Sequence, residues 1–163
     1  MRACRYAFID KAGHIITDQR FDDARDFGEG LAPVKAANFW GYIDKTGTLT
    51  ILPRFDTAAP FADGLALVSE HGQYGYVDRT GVYVIRPQFS YAEGFAEGRA
   101  VVGDGESYWY IDHDGQPAIS GTFALASPFF KGLAHVQLES GDEENKTFAY
   151  IDRDGRRVFV FKP

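Results

Sequence analysis

Trp40-Gly41-Tyr42-Ile43-Asp44-Lys45-Thr46-Gly47 decides the reading of this chain, because its pattern returns along the whole length. The Ile-Asp pair recurs at Ile9-Asp10, Ile111-Asp112 and Ile151-Asp152, with Val77-Asp78 completing a series spaced 34, 34, 34 and 40 residues apart. Self-similarity at a fixed period is the signature of a repeat architecture. Three residues after each Asp stands a glycine: Gly13, Gly47, Gly81, Gly115 and Gly155. Further along each copy come a Phe (Phe21, Phe55, Phe89, Phe123), a second Phe (Phe27, Phe61, Phe95, Phe129) and a glycine (Gly30, Gly64, Gly98, Gly132). An Ala and a Val two apart follow, as in Ala32/Val34 and Ala66/Val68. An aromatic-x-aromatic triplet precedes every Asp, from Tyr6-Ala7-Phe8 to Phe148-Ala149-Tyr150.

A 34-residue period also belongs to helical repeats, so local chemistry has to choose. Short runs such as Leu65-Ala66-Leu67-Val68, bounded by Gly and Asp, carry strand patterning, and no stretch keeps a helical apolar stripe without a Gly or Pro break. Three strands per unit are expected: A at Leu65–Ser69, B at Tyr74–Asp78 and C at Val82–Ile85, with equivalents in the other copies. The Asp-x-x-Gly element is the B–C turn, with Asp accepting from nearby amides and Gly taking the left-handed conformation. Pro53 and Pro87 should end strand C, and the Phe-rich link to the next unit reads as an ordered loop with room for one helical turn. Alternation puts the Ala and Val of strand A on a core face and leaves the positions between them free to vary. The small residue between the aromatics of strand B implies a close approach there, a rule that Trp109 breaks.

The fold class expected is therefore all-β: tandem three-stranded antiparallel units in an open twisted array, with a small β-propeller as the alternative. The boundaries are a half-unit over 1–20 and units over about 21–54, 55–88, 89–122 and 123–163, forming one repeat domain.

These residues resemble the WG-repeat family of bacterial proteins, also called KWG repeats. The best match is residues 40–47 together with Pro53, Phe55, Ala58, Phe61, Gly64, Leu65, Ala66 and Val68. The Trp-Gly signature occurs once; other copies read Tyr-Ala, Tyr-Gly, Tyr-Trp and Phe-Ala. What the resemblance implies is a β repeat array serving as an interaction module, with no family-wide catalytic residues to carry over.

A net charge of -6 argues against a nucleic-acid partner, which would require a basic face. The single cysteine, Cys4, rules out an internal disulfide framework and favours a reducing, cytoplasmic setting. No signal-like or membrane-spanning apolar run is visible. Asp112-His113-Asp114-Gly115 and Asp152-Arg153-Asp154-Gly155 imitate the start of a calcium loop but lack its later acids, so a hairpin turn explains them better. The four histidines fall at four different places in the unit, and no metal, cofactor or catalytic group is expected.

Variation concentrates in the A–B loops, of which Gln137–Thr147 carries the six-residue insertion and the acids Glu139, Asp142, Glu143 and Glu144. Insertions in solenoids tend to map to the binding face. The expectation is a non-catalytic protein-binding module that engages its partner through Asp104, Glu106, Trp109, Glu139 and Glu143. The alternative is a carbohydrate or small-ligand binder using exposed aromatics.

Overall fold

The computed structural model describes residues 6–9, 11–17, 20–139 and 146–162, and all regular structure among them is β-strand. The first sheet contains β1 (Asp23–Ala24), β2 (Leu31–Ala36), β3 (Phe39–Asp44) and β4 (Leu49–Phe55), side by side in that order. The second repeats the arrangement with β5 (Thr57–Ala58), β6 (Ala66–Glu70), β7 (Gln73–Val77) and β8 (Tyr83–Phe89). The third has seven strands: β9 (Tyr91–Ala92), β10 (Ala100–Gly103), β11 (Tyr108–Ile111), β12 (Phe123–Ala126), β13 (Ala134–Leu138), β14 (Thr147–Ile151) and β15 (Arg157–Phe161). Every pairing is antiparallel.

The expected A strands are β2, β6, β10 and β13, and the B strands β3, β7, β11 and β14. Part of the link between units is itself a strand, the two-residue β1, β5 and β9, which hydrogen-bonds to strand A; it contains no helical turn. Strand C does not stop at proline: β4 and β8 run through Pro53 and Pro87 to Phe55 and Phe89. These are edge strands, where a missing N–H leaves no partner unsatisfied.

The core lies between consecutive repeat units, and the inner units are buried on both faces. Ala32, Val34 and Ile43 face back toward the opening hairpin, packing with Phe8 and Phe21. Leu31, Trp40, Tyr42, Ile51 and Phe55 face forward, onto Ala58, Phe61, Ala66, Val68 and Val77 of the next unit. The same division recurs at the next two junctions. The positions between the Ala and Val of strand A are thus not free: Pro33 and Val101 are buried, Val101 only 1% exposed, and Leu67 and His135 half-buried. An alternating pattern with apolar residues on both faces is what a sheet covered on both sides requires.

The array is open. The forward face of the last sheet exposes Tyr150 and Phe159, and Ile9 and Ile15 are exposed on the first hairpin. That hairpin is held by isolated bridges, Tyr6 to Phe21 and Ile9 to Ile15. In the third unit strand C is reduced to a bridge between Ile111 and Pro117.

Trp109 explains this last departure. In the first two sheets strand C doubles over the central residue of the triplet: from Trp40 to Tyr42 β3 advances two residues, while its partners Phe55 and Ile51 are four apart. A Cβ on Gly41 would lie 2.3 Å from the Ile51 carbonyl oxygen, and one on Gly75 2.6 Å from that of Ile85. An indole at 109 cannot share that space, so beyond the bridge at Pro117 and the Ala118 amide, residues 119–122 leave the sheet.

Candidate functional site

Among the described residues, the B–C turn carboxylates of Asp44, Asp78, Asp112 and Asp152 are used internally. Asp44 Oδ1 accepts from the amides of Thr46 (2.8 Å) and Thr48 (3.0 Å) and from the Thr46 hydroxyl. Asp78 repeats this arrangement with Thr80 and Val82. The hydroxyl bonds, followed by these amides, hold both carboxyls below the usual carboxylate range. Asp112 and Asp152 cap their turns the same way through Asp114/Gln116 and Asp154/Arg156 amides. Among the described residues no cluster of three or more His, Cys, Asp or Glu side chains is arranged to hold a metal ion.

Two rows of hydrogen bonds bind consecutive units. In the three middle triplets the second aromatic donates across the junction: Tyr42 to the Ala59 carbonyl (2.7 Å), Tyr76 to Glu93 (2.7 Å) and Tyr110 to Ser127 (2.8 Å). A second row of acids accepts from the next unit: Glu29 from the Gly64 amide, Asp63 from Gly98 (2.7 Å) and Glu97 from Gly132 (2.9 Å). The sequence reading missed this row. Its signal was an acid before Gly30, Gly64 and Gly98, in a left-handed conformation that non-glycine residues seldom adopt. In the last copy the position is Lys131.

Of the expected binding residues, Asp104, Glu106 and Glu139 lie at the opposite end of the sheets, at the A–B loops. Asp104 Oδ1 accepts from the amides of Glu106 (2.9 Å) and Ser107 (3.0 Å), and these bonds, Ser107's first, keep its carboxyl low and charged. The Ser107 hydroxyl donates to Glu139 Oε1 at 2.8 Å, tying the loops of the third and fourth units together. Asp104, Glu106 and Glu139 are all exposed, which places three acids on one rim. Glu143, with Asp142 and Glu144, lies outside the described residues, as does Cys4.

Trp109 points the other way, toward the preceding unit, with its ring edge-on to Phe89 at 6.1 Å. Its remaining surface lines an open groove of about 410 Å³ with Pro117, Ile119, Ser120, Gly121 and Thr122. A larger groove, about 520 Å³, separates β8 from the next B–C turn and is lined by Arg86, Gln88, Asp114 and Gln116 among others.

Among solved structures, the chain is similar to hydrazine synthase from Kuenenia stuttgartiensis, with a TM-score of 0.44 and 15% identity over 82% of this chain. It spans under half, 46%, of that chain. It is also similar to a protein of unknown function from Bacteroides caccae, with a TM-score of 0.35 and 16% identity over 98% of this chain and 90% of that one. No curated protein matches. The model of the WG containing repeat matches four times, over residues 6–38, 40–74, 74–108 and 110–140, and so the chain belongs to the WG-containing repeat family.

Proposed function

We propose that this chain is a non-catalytic scaffold that binds a protein partner through the acidic A–B rim formed by Asp104, Glu106, Glu139 and, in sequence, Glu143. The observation that supports this reading is the Ser107–Glu139 bond, which joins two adjacent loops and holds their acids on one surface. The repeated side chains are already engaged in joining units, so the variable loops are what remains available for recognition. A basic partner fits such a rim, and its association should slow as salt rises, because exposed charges are screened over about 8–10 Å. Trp109 serves this site indirectly, by filling the junction beneath it.

The test is affinity capture from the native source with the wild type and with Asp104→Asn/Glu106→Gln/Glu139→Gln/Glu143→Gln. Loss of a salt-sensitive partner from the folded variant supports the rim. An unchanged set of partners with unchanged salt dependence would sink it. Carbohydrate binding draws support from the exposed rings of Phe130 and Phe159, and a glycan array probed with Phe159→Ala would decide that alternative.

A further inference from the structure

We propose that the groove between β8 and the third unit's B–C turn binds a short neutral oligosaccharide, held by Arg86 and Gln88 on one wall and by Asp114 and Gln116 on the other. The site does not depend on the acidic rim, which lies at the A–B loops.

The repeat supplies an internal comparison. Every position that lines the groove between β4 and the second unit's turn recurs 34 residues later as a lining position of this one. At the first junction the groove is occupied by its own side chains. Arg54 crosses it to donate to the Gly81 carbonyl, and its guanidinium lies over the Tyr83 ring at 5.3 Å. The Thr80 hydroxyl is engaged by Asp78, and Leu52 and Val82 are apolar.

At the second junction these four positions all carry planar polar groups. Arg86 stands for Leu52, Gln88 for Arg54, Asp114 for Thr80 and Gln116 for Val82. With no guanidinium crossing it, the groove is larger, about 520 Å³ against about 400 Å³. Among the described residues none of the four side chains makes a hydrogen bond or an ion pair. Asp114 and Gln116 bond to the turn through their backbone amides alone. At the third junction the corresponding carboxylate, Asp154, is paired with Arg156 at 3.3 Å. A free polar set across a groove therefore belongs to one junction.

Its chemistry suits hydroxyls. A hydroxyl both donates and accepts, and the groove offers a donor-only guanidinium, an acceptor-only carboxylate and two carboxamides that do both. Val84 and Ile85 add an apolar strip for the C–H face of a sugar ring. One cation and one anion on opposite walls favour a ligand without net charge. The volume lies within the range of small-ligand sites, about 300–1,000 Å³. A peptide fits less well, because peptides that dock on a sheet edge pair with its main chain. β8 lacks an N–H at Pro87 and doubles over Gly75, which blocks such pairing. A zwitterionic amino acid would rest on two exposed ion pairs, which contribute little, and would leave both carboxamides idle.

The 163-residue chain, applied to an array of immobilised neutral oligosaccharides, should be retained by at least one of them, and retention should not change as salt rises. Adding that oligosaccharide in solution should shift the side-chain amide resonances of Gln88 and Gln116. Arg86→Leu/Gln88→Arg/Asp114→Thr/Gln116→Val grafts the first junction's residues into the groove. It should weaken binding about tenfold or more and leave the melting temperature unchanged, because the same side chains already fit one unit earlier. Phe159→Ala and the rim variant should bind like the wild type, so the failure of either reading leaves the other standing. The proposal is overturned if no neutral oligosaccharide is retained, or if the folded graft binds undiminished. It is also overturned if Phe159→Ala abolishes binding, or if the graft removes a bound peptide in place of a sugar. Should the graft fail to fold, Gln116→Val alone decides, and undiminished binding by it overturns the site.

Discussion

Gly41 and Gly75 need to be small for a reason that has nothing to do with turn formation. Neither has a positive φ; both are needed because the backbone of strand C crosses directly over them. Gly75→Ala should therefore destabilise by about 1–3 kcal/mol, the range for overpacking, with the loss read as a lower urea midpoint. Gly72→Ala tests a different cost, since a Cβ there meets nothing within 4 Å but the φ is +78°. Its smaller penalty should come from backbone strain alone. The close approach was legible in the sequence as a small residue between two aromatics. What crossed there was not, because the doubled register of β4 depends on a pairing more than ten residues away. Trp109 was legible as a violation, and the structure supplies its consequence in the lost third C strand.

At the scale of elements, the junction tyrosines make the array sensitive to alkali. Burial pushes the Tyr42, Tyr76 and Tyr110 hydroxyls well above their ordinary range near 10. The folded state thus prefers the protonated phenol more than the unfolded chain does. Stability from these groups is complete below the ordinary tyrosine pKa and is lost as pH rises through the higher folded values. Melting temperatures should be flat across neutral pH and fall above about pH 10. Tyr76→Phe should cost about 1 kcal/mol at pH 7 through its lost hydrogen bond, and should soften the alkaline fall. The acid–glycine row behaves differently. Asp63→Ala leaves the exposed Gly98 amide to water and should cost about 0.5–1.5 kcal/mol, measured by denaturant unfolding. This row escaped the sequence reading because an acid in a polar turn looks like a solvated group; only its recurrence one residue before Gly30, Gly64 and Gly98 set it apart. The strands themselves were legible. Their two-sided burial was not, since period-two alternation says that faces differ and not that one of them is free.

For the whole molecule, the core is divided among the junctions, so large side chains there should act on cooperativity as well as on stability. Phe61→Ala and Phe95→Ala, at 3% and 4% exposure, should each cost about 3–5 kcal/mol. Each should also broaden the unfolding transition by loosening one neighbour from the next, which calorimetry would register as a calorimetric enthalpy exceeding the van't Hoff value. Of the expected rim, Asp104 and Glu139 meet through Ser107 and Glu106 donates its amide to Asp104, whereas Trp109 packs against the preceding unit. Residue variation between copies marked the loops correctly as different. It could not say that Trp109 points toward its neighbour, because direction depends on which of two buried faces a residue joins. One feature of the connectivity has mechanical meaning. A single residue, Asp56 or Ser90, separates the last strand of one sheet from the first strand of the next. Under tension along the chain, no slack linker absorbs the load, so each sheet should yield in turn as a discrete step. Each of the first two sheets would release a 34-residue repeat of at most about 110–120 Å of contour, and the third, which holds two units, roughly twice that, making the array a molecular spring with stepped give.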